Sequence, residues 1–459
     1  MIDALIIGGG FSGLAAGIRL AHFDLKVCLI ESHPVPGGLN TFYPYKGYLF
    51  ESGLHAVTNF PSPKNTKTPF WKLLRQLRLT ADDFALRPQK KSRICFPGAC
   101  LEFTNDFPFF ITQVEQTFPE ERDRFLSFIS YLNGFDEYDF STPYLSTRYV
   151  LSSFIHEPLL IEMLLCPVMY YGSAQENDLD FKDFALLFKS IFFEGLGRPE
   201  GGIKSIIDLL VNRFTECGGE LRLNTTVNAL EHDGHQIMRA HIQNGEPIES
   251  RHVFSSAGLW ETMRLTGQET PHEKTGRISF MESISIFNTP LQGKDTSILF
   301  YNDHPSFAYK QPEGLTDPSS GVVCFPDHFH YETPLDSFTV KITHLANYSI
   351  WRALSTSEYS FEKEKTFRSA CHHVSRYLPD LDFSRNMAFS DIFTPLTIEK
   401  FTHHMNGSVY GSPVKKREGK TAFDNLYLCG TDQGLVGIVG SMLSGITMAN
   451  QHVLSKINS

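Results

Sequence analysis

Six residues near the start of the chain have the types and spacing to hold a pyrophosphate. They form the pattern G-x-G-x-x-G, in the order Gly8, Gly9, Gly10, Phe11, Ser12 and Gly13. Gly8 permits a tight turn, Gly10 lets a phosphate approach the backbone, and Gly13 lets a helix pack close to a strand. Glu31 follows, at a spacing that suits hydrogen bonds to ribose hydroxyls, with Ser32 beside it. This combination predicts a dinucleotide-binding site.

The elements around this motif are in the order that such a site needs. Residues 4–7 are a continuous apolar run, which is typical of a parallel strand buried on both faces. A helix rich in small residues is predicted over residues 14–21, and residues 27–30 predict a second strand that ends at Glu31. A strand–helix–strand unit opened by this motif predicts an α/β fold with a Rossmann-type domain. The acid at the strand end fits either FAD or NAD.

A second glycine segment follows Glu31 and resembles a known family. Gly37 and Gly38 come shortly after the acid, and the run GYLFESGLH covers residues 47–55. The chain resembles the flavin amine oxidase and phytoene desaturase superfamily, in which this segment passes beside the pyrophosphate and ribityl chain of FAD. The resemblance therefore implies FAD as the cofactor. Leu39 stands where the family usually has Arg, so phosphate contacts here are expected from backbone N–H groups.

The end of the chain carries another strand, turn and helix of this kind. Residues 426–429 are an apolar run, and the turn that follows contains Gly430 and Asp432. In the family that this block resembles, the acid binds the ribityl-phosphate part of FAD. The next helix begins near Gly437 and Ile438, and its N-terminus faces the flavin, where it can stabilise negative charge. The resemblance implies that these four residues contact FAD.

The middle of the chain returns to the same domain. An amphipathic helix is predicted over residues 203–214, Gly218 and Gly219 end it, and short strands follow. In the family block that this segment resembles, the position of Val227 covers the adenine. Residues 251–257 predict a strand that rejoins the FAD-binding domain.

These segments imply a discontinuous domain arrangement. We expect the FAD-binding domain to comprise residues 1–60, 197–260 and 405–459. Residues 61–196 and 261–404 are then the substrate-binding domain. Within it, residues 61–196 are mainly helical in pattern, and the alternating runs of residues 277–345 predict a mixed sheet.

Three further segments resemble one subgroup of the family, the carotenoid desaturases, carotenoid isomerases and retinol saturases. They are the FPEE run at residues 118–121, the T-P-x-T pattern at residues 394–397 and the G-S-x-Y-G pattern at residues 407–411. The resemblance thus covers essentially the whole chain. It implies an FAD-dependent desaturase, saturase or cis–trans isomerase that acts on a long, apolar polyene or isoprenoid-like lipid.

Two other functions stay open at this point. One is an amine or protoporphyrinogen oxidase, which would need an aromatic cage or a cation-binding pocket. The other is a protein that binds prenyl lipids without redox chemistry, as Rab GDP-dissociation inhibitors of this fold do. The complete set of Gly8, Gly10, Gly13, Glu31 and Asp432 argues against the second, because a protein without flavin needs no ribityl contact.

His55 is the candidate catalytic residue. It ends the second family segment, and a histidine at this place resembles the retinol saturase and isomerase side of the family. Imidazole exchanges protons near neutral pH, which suits proton transfer to an alkene carbon. Tyr410 and Glu51 are alternatives, with packing or cofactor contact as their expected roles. His328 and His330 share a face of a strand but have no evident third ligand, so we expect no metal.

Composition limits the partners. The net charge of −10, without a long basic run, argues against nucleic acid. Eight scattered cysteines argue against a zinc ribbon or a disulfide scaffold and favour a reducing compartment. We expect no cleavable signal and no membrane-spanning segment, and therefore a cytoplasmic protein that attaches peripherally to a membrane surface.

The 39 phenylalanines fit either a large core or a wide apolar cavity. Two aromatic helical segments, residues 149–171 and 183–196, lie outside the expected FAD-binding pieces. Core packing explains such helices, and a lid or a membrane-contact surface is the alternative. On the second interpretation, they frame an elongated apolar tunnel that ends at the flavin, near His55.

Overall fold

The computed structural model describes residues 1–139, 142–269, 271, 274–289, 295–335, 338–379, 381–383, 385 and 387–457. Its strands are β1 (Ile2–Ile7), β2 (Val27–Ile30), β3 (Phe42–Tyr45), β4 (Tyr48–Glu51), β5 (Val57–Thr58), β6 (Leu86–Pro88), β7 (Lys91–Phe96), β8 (Ala99–Phe103), β9 (Leu196–Pro199), β10 (Glu220–Arg222), β11 (Val227–His232), β12 (Ile237–Ile242), β13 (Ser250–Ser255), β14 (Ser279–Phe287), β15 (Thr296–Asn302), β16 (Ser320–Cys324), β17 (Phe338–Ala346), β18 (Met387–Phe393) and β19 (Leu426–Leu428).

The helices alternate with these strands along the chain. They are α1 (Phe11–Ala21), α2 (Pro69–Leu77), α3 (Ala81–Phe84), α4 (Phe107–Thr117), α5 (Arg122–Gly134), α6 (Thr147–Phe154), α7 (Pro158–Gly172), α8 (Phe181–Phe188), α9 (Gly202–Glu216), α10 (Leu259–Leu265), α11 (Tyr348–Ala353), α12 (Thr356–Ser375), α13 (Pro395–Thr402), α14 (Gly437–Ala449) and α15 (Ser455–Ile457). Helix α8 continues as a π-helical turn, Lys189–Phe193.

The first sheet is parallel, in the order β10-β2-β1-β13-β19. Its central strand β1 pairs with β2 and β13. The apolar run of residues 4–7 therefore lies between strands and under helices, which explains its hydrophobicity on both faces. Strands come from residues 2–30, 220–255 and 426–428, all inside the three segments expected to form the FAD-binding domain. The domain boundaries themselves stay a prediction.

The second sheet is mixed and has the order β18-β14-β17-β16-β15-β7-β8. It includes the strands expected within residues 277–345, but also β18 and the β7–β8 hairpin. Residues 61–196 are thus not helical throughout, because the alternating residues 91–103 join the sheet through a parallel pairing with β15. Cys95 and Cys100 face each other across that hairpin and form a disulfide bond. The other six cysteines are free thiols, so the chain is not a disulfide scaffold.

A helical layer covers one face of the mixed sheet. Helices α4 to α8 and the sheet enclose a core that includes Phe103, Phe188, Phe192 and Phe300. Most residues of α7 and α8 are buried in this core. The segments 149–171 and 183–196 are therefore largely core elements, and their wide apolar surface is explained by packing against the sheet and against each other. A membrane-contact surface on these helices stays a prediction.

Within the described ranges, no helix is both long and apolar enough to cross a membrane. Among the same residues, no group of three or more His, Cys, Asp or Glu side chains is arranged to hold a metal ion. His328 stacks on Phe325, and its Nδ1 lies 2.9 Å from the carbonyl oxygen of Thr296, which is the position of a packed core histidine.

Candidate functional site

The glycine motif folds into the turn that its spacing predicts. Gly13 lies at the start of α1, where an added Cβ would lie only 2.1 Å from the Gly8 carbonyl oxygen, so a larger residue cannot fit. Gly10 differs, since a Cβ there would have no atom within 4 Å. Phe11 and Ser12 are buried in the first turn of the helix. The space over Gly10, at a helix N-terminus with free N–H groups, is where a pyrophosphate fits.

Glu31 closes one side of this turn. Its carboxylate accepts hydrogen bonds from the Gly9 and His33 amides, at 2.7 and 2.9 Å, and from the Ser32 hydroxyl at 3.1 Å. The side chain thus fixes the end of β2 against the glycine turn. Contact between Glu31 and a ribose stays a prediction, and its place beside the turn is compatible with it.

A line of accessible glycines leads away from that turn. Gly37 pairs with Gly10, and Gly38 is exposed, with the nearest atom to an added Cβ being the Gly10 Cα at 3.5 Å. Gly53 is also exposed, and a Cβ there would lie 2.6 Å from the Leu39 carbonyl oxygen. These contacts place the two glycine segments and the loop of His55 side by side.

The line ends at helix α14. Gly437, its first residue, is exposed, and the nearest atom to an added Cβ is the Thr58 Oγ1 at 3.8 Å. Residues 8–13, 37–39, 53–55 and 437 therefore form one open groove, defined here as the cofactor groove. Side chains at Gly10, Gly38 or Gly437 would enter its open space, and helices α1 and α14 begin beside it. A long dinucleotide with phosphates in the middle fits this arrangement.

Asp432 lies beneath the groove. Its carboxylate accepts hydrogen bonds from the amides of Leu259 and Ser412, at 2.6 and 2.7 Å, and the Lys415 Nζ lies 3.7 Å away. These contacts tie three distant parts of the chain together. Direct contact between Asp432 and the ribityl chain stays a prediction. Gly430 packs against Ser12, so the turn between β19 and α14 adjoins the glycine motif.

The remaining expected cofactor contacts occupy different places. Ile438 is buried in the core between α14 and α1. Val227 is buried at the start of β11, among apolar residues that pack on the far side of the parallel sheet. The structure therefore brings the glycine motifs and Gly437 into one groove, while Val227 lies on the other face of the sheet and its contact with adenine stays a prediction.

The loop before His55 is held by two buried cations. Arg198, from β9, donates hydrogen bonds to the carbonyl oxygens of Leu54 and His55, both at 3.0 Å, and pairs with the Glu51 carboxylate. Lys341, from β17, donates to the Leu54 carbonyl oxygen at 3.0 Å and to that of Glu51. Although burial opposes ionisation, the charges of Arg198 and Lys341 keep the pKa of Glu51 below its usual value. Glu51 is thus a buried, ion-paired carboxylate, and contact with the cofactor stays a prediction.

His55 itself contacts a carboxylate on the mixed sheet. Its Nε2 lies 3.0 Å from the Thr343 Oγ1 and 3.2 Å from the Glu282 Oε2. Glu282 and Thr343 are directly paired across β14 and β17. Burial raises the pKa of Glu282, but Lys341, whose Nζ is 3.9 Å away, and His55 together lower it to about 2. Glu282 is therefore a buried carboxylate at neutral pH.

Sequence reasoning missed Glu282, Lys341 and Arg198. A signal was present, since Glu282 and Lys341 are single charges within strands of otherwise apolar or small residues. Charged side chains are rarely buried unless they are paired, so each implied a partner. The partners lie up to 290 residues away, and the sequence alone does not identify them.

Two tyrosines lie at the end of α7, one of them in the helix and the other in contact with it. The Tyr410 hydroxyl donates a hydrogen bond to the Tyr170 carbonyl oxygen, so Tyr410 joins the end of α7 to the site. The Tyr171 hydroxyl is buried and has no hydrogen-bond partner among the described residues. An unsatisfied hydroxyl is costly, and such groups are frequently completed by a ligand or water.

The cavities next to α8 are small. One measures about 190 Å³ and is lined by Leu187 and Val436 but also by Asp183, Lys415 and Arg417. The other, near Thr58 and Glu194, measures about 30 Å³. Neither is an elongated apolar channel, so the expected tunnel along these helices is not formed by these cavities in the conformation described.

Comparison with known proteins adds to this geometry. Residues 11–451 match the family described as flavin containing amine oxidoreductase. Prolycopene isomerase of Arabidopsis thaliana is 20% identical, over 98% of this chain and 82% of the relative. The 4,4'-diaponeurosporene oxygenase of Staphylococcus aureus is 21% identical, over 99% and 98%. Phytoene desaturase of Pantoea ananas is 25% identical, over 58% of this chain and 57% of the relative.

Solved structures share the fold. An oxidoreductase from Methanosarcina mazei superposes with a TM-score of 0.68 at 17% identity and covers 100% of both chains. A putrescine oxidase gives 0.65 at 16% identity, over 100% and 99%. A Rab GDI from Plasmodium falciparum gives 0.53 at 12% identity, over 93% and 92%. The family match spans nearly the whole chain, so the chain belongs to the flavin-containing amine oxidoreductase family, with FAD as its cofactor.

Proposed function

We propose that this protein is an FAD-dependent desaturase, saturase or cis–trans isomerase of a long polyene or isoprenoid-like lipid. The observation that carries the proposal is the full-length similarity to prolycopene isomerases and to a diaponeurosporene oxygenase, over 98–99% of the chain. These relatives are named for carotenoid substrates, whereas putrescine oxidase shares the fold alone. The site is compatible with this substrate class, since Ala56 and Val436, which follow His55 and precede Gly437, belong to the apolar core between the mixed sheet and the helices.

The residues of the groove have separate proposed roles. Bound FAD supplies hydride transfer. The turn of Gly8 to Gly13 and the N-terminus of α14 would hold its charged parts, and Glu31 its ribose. When two hydrogens leave adjacent carbons, one leaves as hydride and the other as a proton. His55 is the group in the groove that we propose accepts this proton, or returns it when a double bond is only isomerised.

The substrate requires more room than the described cavities give. Ligand pockets usually measure about 300–1,000 Å³, well above the 190 Å³ beside α8. Ala56, next to His55, and Val436, next to Gly437, both belong to the core between the mixed sheet and the helices. We propose that α7 and α8 move away from the sheet when substrate enters. The π-helical turn at Lys189–Phe193 and Pro167 inside α7 are the irregular points at which such a movement would begin.

The flavin absorbance band tests this function. The purified yellow protein, mixed without oxygen with a cis-polyene, is expected either to lose the oxidised flavin band or to isomerise the polyene with the band unchanged. Pre-reduced protein with an unsaturated lipid tests the saturase direction. Reduction by primary amines or by protoporphyrinogen, with no reaction of any polyene, would favour the alternative oxidases. A colourless protein that binds prenyl lipids would favour the non-catalytic alternative.

We also propose weak attachment to lipid surfaces through the β3–β4 hairpin. Its tip exposes Tyr45 and Leu49, which are 45% and 50% accessible, beside Lys46. The Lys46 Nζ lies 4.2 Å from the centre of the Phe389 ring, so the tip is packed against the sheet. Aromatic and apolar side chains next to a lysine suit the interface of an anionic membrane.

Co-sedimentation with phosphatidylglycerol vesicles tests the hairpin. Because Leu49 is half exposed, burying it in lipid is worth about 1 kcal/mol, and Leu49→Glu is expected to weaken vesicle binding by at least about fivefold. Tyr149→Glu is the matched control, since Tyr149 is 70% exposed on α6, in the segment where the sequence suggested membrane contact. If only Tyr149→Glu loses vesicle binding, the membrane contact lies on the helices and not on the hairpin. If the unmodified protein does not bind vesicles, the proposed attachment to lipid surfaces is refuted.

A further inference from the structure

The hydrogen bonds around His55 determine which of its nitrogens carries the proton. Thr343 Oγ1 donates to Glu282 Oε2 at 3.2 Å, so the lone pairs of that hydroxyl are directed elsewhere. The His55 Nε2 lies 3.0 Å from the hydroxyl and 3.2 Å from the carboxylate. Both of its neighbours are therefore acceptors. An unprotonated Nε2 would direct its own lone pair at a carboxylate, so Nε2 must be the donor.

The other nitrogen is open. Nδ1 of His55 has no hydrogen bond within the described part of the chain, and it does not belong to the buried unsatisfied atoms there. Nδ1 is therefore accessible to solvent and available to a ligand bound beside this loop. With Nε2 protonated, a neutral ring has its lone pair on Nδ1.

The buried ammonium group of Lys341 stabilises the ionised form of the Glu282 carboxylate. Glu282 is directly paired with Thr343, and Lys341 lies two residues before Thr343 on the same face of β17. Lys341 is 1% exposed and is fixed by carbonyl oxygens of the loop that carries His55. Backbone of this loop is also held by Arg198 and by the Cys324 thiol, which donates to the His55 carbonyl oxygen at 3.4 Å. The backbone and one ring nitrogen of His55 are thus both fixed.

We infer that Glu282 is a positioning residue, which holds the His55 ring with Nε2 protonated and presents Nδ1 to the substrate as the proton-accepting atom. The use of Nδ1 as the proton-accepting atom rests on the proposed function. The position and tautomer of the ring do not rest on it, because they follow from contacts within the protein. A carboxylate behind a histidine fixes its tautomer and orientation in many enzymes.

Nitrogen-15 NMR of the flavin-loaded, full-length protein labelled at histidine tests the arrangement without activity. His55→Gln identifies the two signals of His55. When its ring is neutral, His55 of the unmodified protein is expected to have Nε2 protonated and Nδ1 unprotonated. In Glu282→Gln, the amide can donate to Nε2, so the proton is expected to move wholly or partly to Nδ1. Glu231→Gln, an exposed carboxylate that contacts His241, is the matched control and leaves the His55 signals unchanged.

Turnover of the polyene is the second measurement. Glu282→Gln is expected to lower the rate constant by about 100-fold or more in protein that still holds its flavin, measured well below its Tm, which falls because Lys341 loses its partner carboxylate. A His55 ring protonated at Nδ1 in the unmodified protein, or a tautomer that Glu282→Gln leaves unchanged, would overturn the inference. If the tautomer changes as expected but no polyene reacts with any variant, the positioning role stands and the proposed function fails.

Discussion

Gly10→Val is expected to abolish flavin binding and leave the folded protein intact. Gly10 precedes α1 with φ −69° and ψ 173°, which any residue adopts, and a Cβ there meets no atom within 4 Å. The added side chain therefore strains nothing in the protein. It projects into the space that the pyrophosphate needs, and the phosphates cannot approach the N–H groups of the helix N-terminus. We expect an affinity for FAD at least 100-fold lower than that of the unmodified protein.

Two other glycine variants make this test specific. Gly13→Ala is expected to disrupt folding itself, because its Cβ would lie 2.1 Å from the Gly8 carbonyl oxygen. Gly134→Val, at the end of α5, also has open space around its Cβ but lies outside the groove, so it should retain flavin. Flavin content after dialysis and the Tm of the flavin-free proteins are the measurements. Full flavin occupancy in Gly10→Val would show that the pyrophosphate lies elsewhere.

The contrast between these glycines shows what the sequence could predict. The tight turn, the helix packing and the strand that ends at Glu31 follow from neighbouring residues, whose geometry is fixed by local chain stereochemistry. The expectation that three separate segments contribute to one domain followed from resemblance at each of them. In each case the prediction needed only the residues of one short segment and the known arrangement of that segment in a family.

The buried charges beneath His55 could not be predicted in this way. Glu282, Lys341 and Arg198 meet only because two sheets and the loop of His55 pack together. The hairpin of β7 and β8 was missed for a similar reason, since its pairing with β15 joins residues about 200 positions apart. Apolar helices such as α7 fit both core and surface roles, and the packing partner decides between them. Contacts between residues far apart in the chain are therefore the part of this site that the sequence could not predict.

Removal of the buried ammonium group of Lys341 is expected to destabilise the protein strongly. Lys341→Met leaves the Glu282 carboxylate buried without its cation and removes a donor from the carbonyl oxygens of Glu51 and Leu54. Breaking one side of a buried ion pair costs about 3–5 kcal/mol, most of it from the charge left behind. The free energy of unfolding, measured with urea at pH 7, should fall by that amount.

A matched double variant separates the charge from the packing. In Lys341→Met with Glu282→Leu, the unpaired carboxylate is gone, so we expect part of the lost stability to return, although the two carbonyl oxygens still lack their donor. Lys204→Met is the control, since Lys204 forms an exposed i,i+4 pair with Asp208 on α9 and should change stability by less than about 0.5 kcal/mol. If the single and double variants are equally destabilised, the unpaired carboxylate is not the cause of the lost stability.

The pH dependence gives an independent measure of the same pair. The pKa of Glu282 is lowered from 4.5 to about 2 in the folded protein, so this group binds its proton more readily after unfolding. Its contribution of about 3 kcal/mol is therefore present above pH 4.5 and is lost as the pH falls towards 2. Without Lys341 the lowering is smaller, and the stability of Lys341→Met should fall less steeply over this range than that of the unmodified protein. Parallel curves for the two proteins between pH 4.5 and 2 would mean that Lys341 does not hold Glu282 in its ionised form.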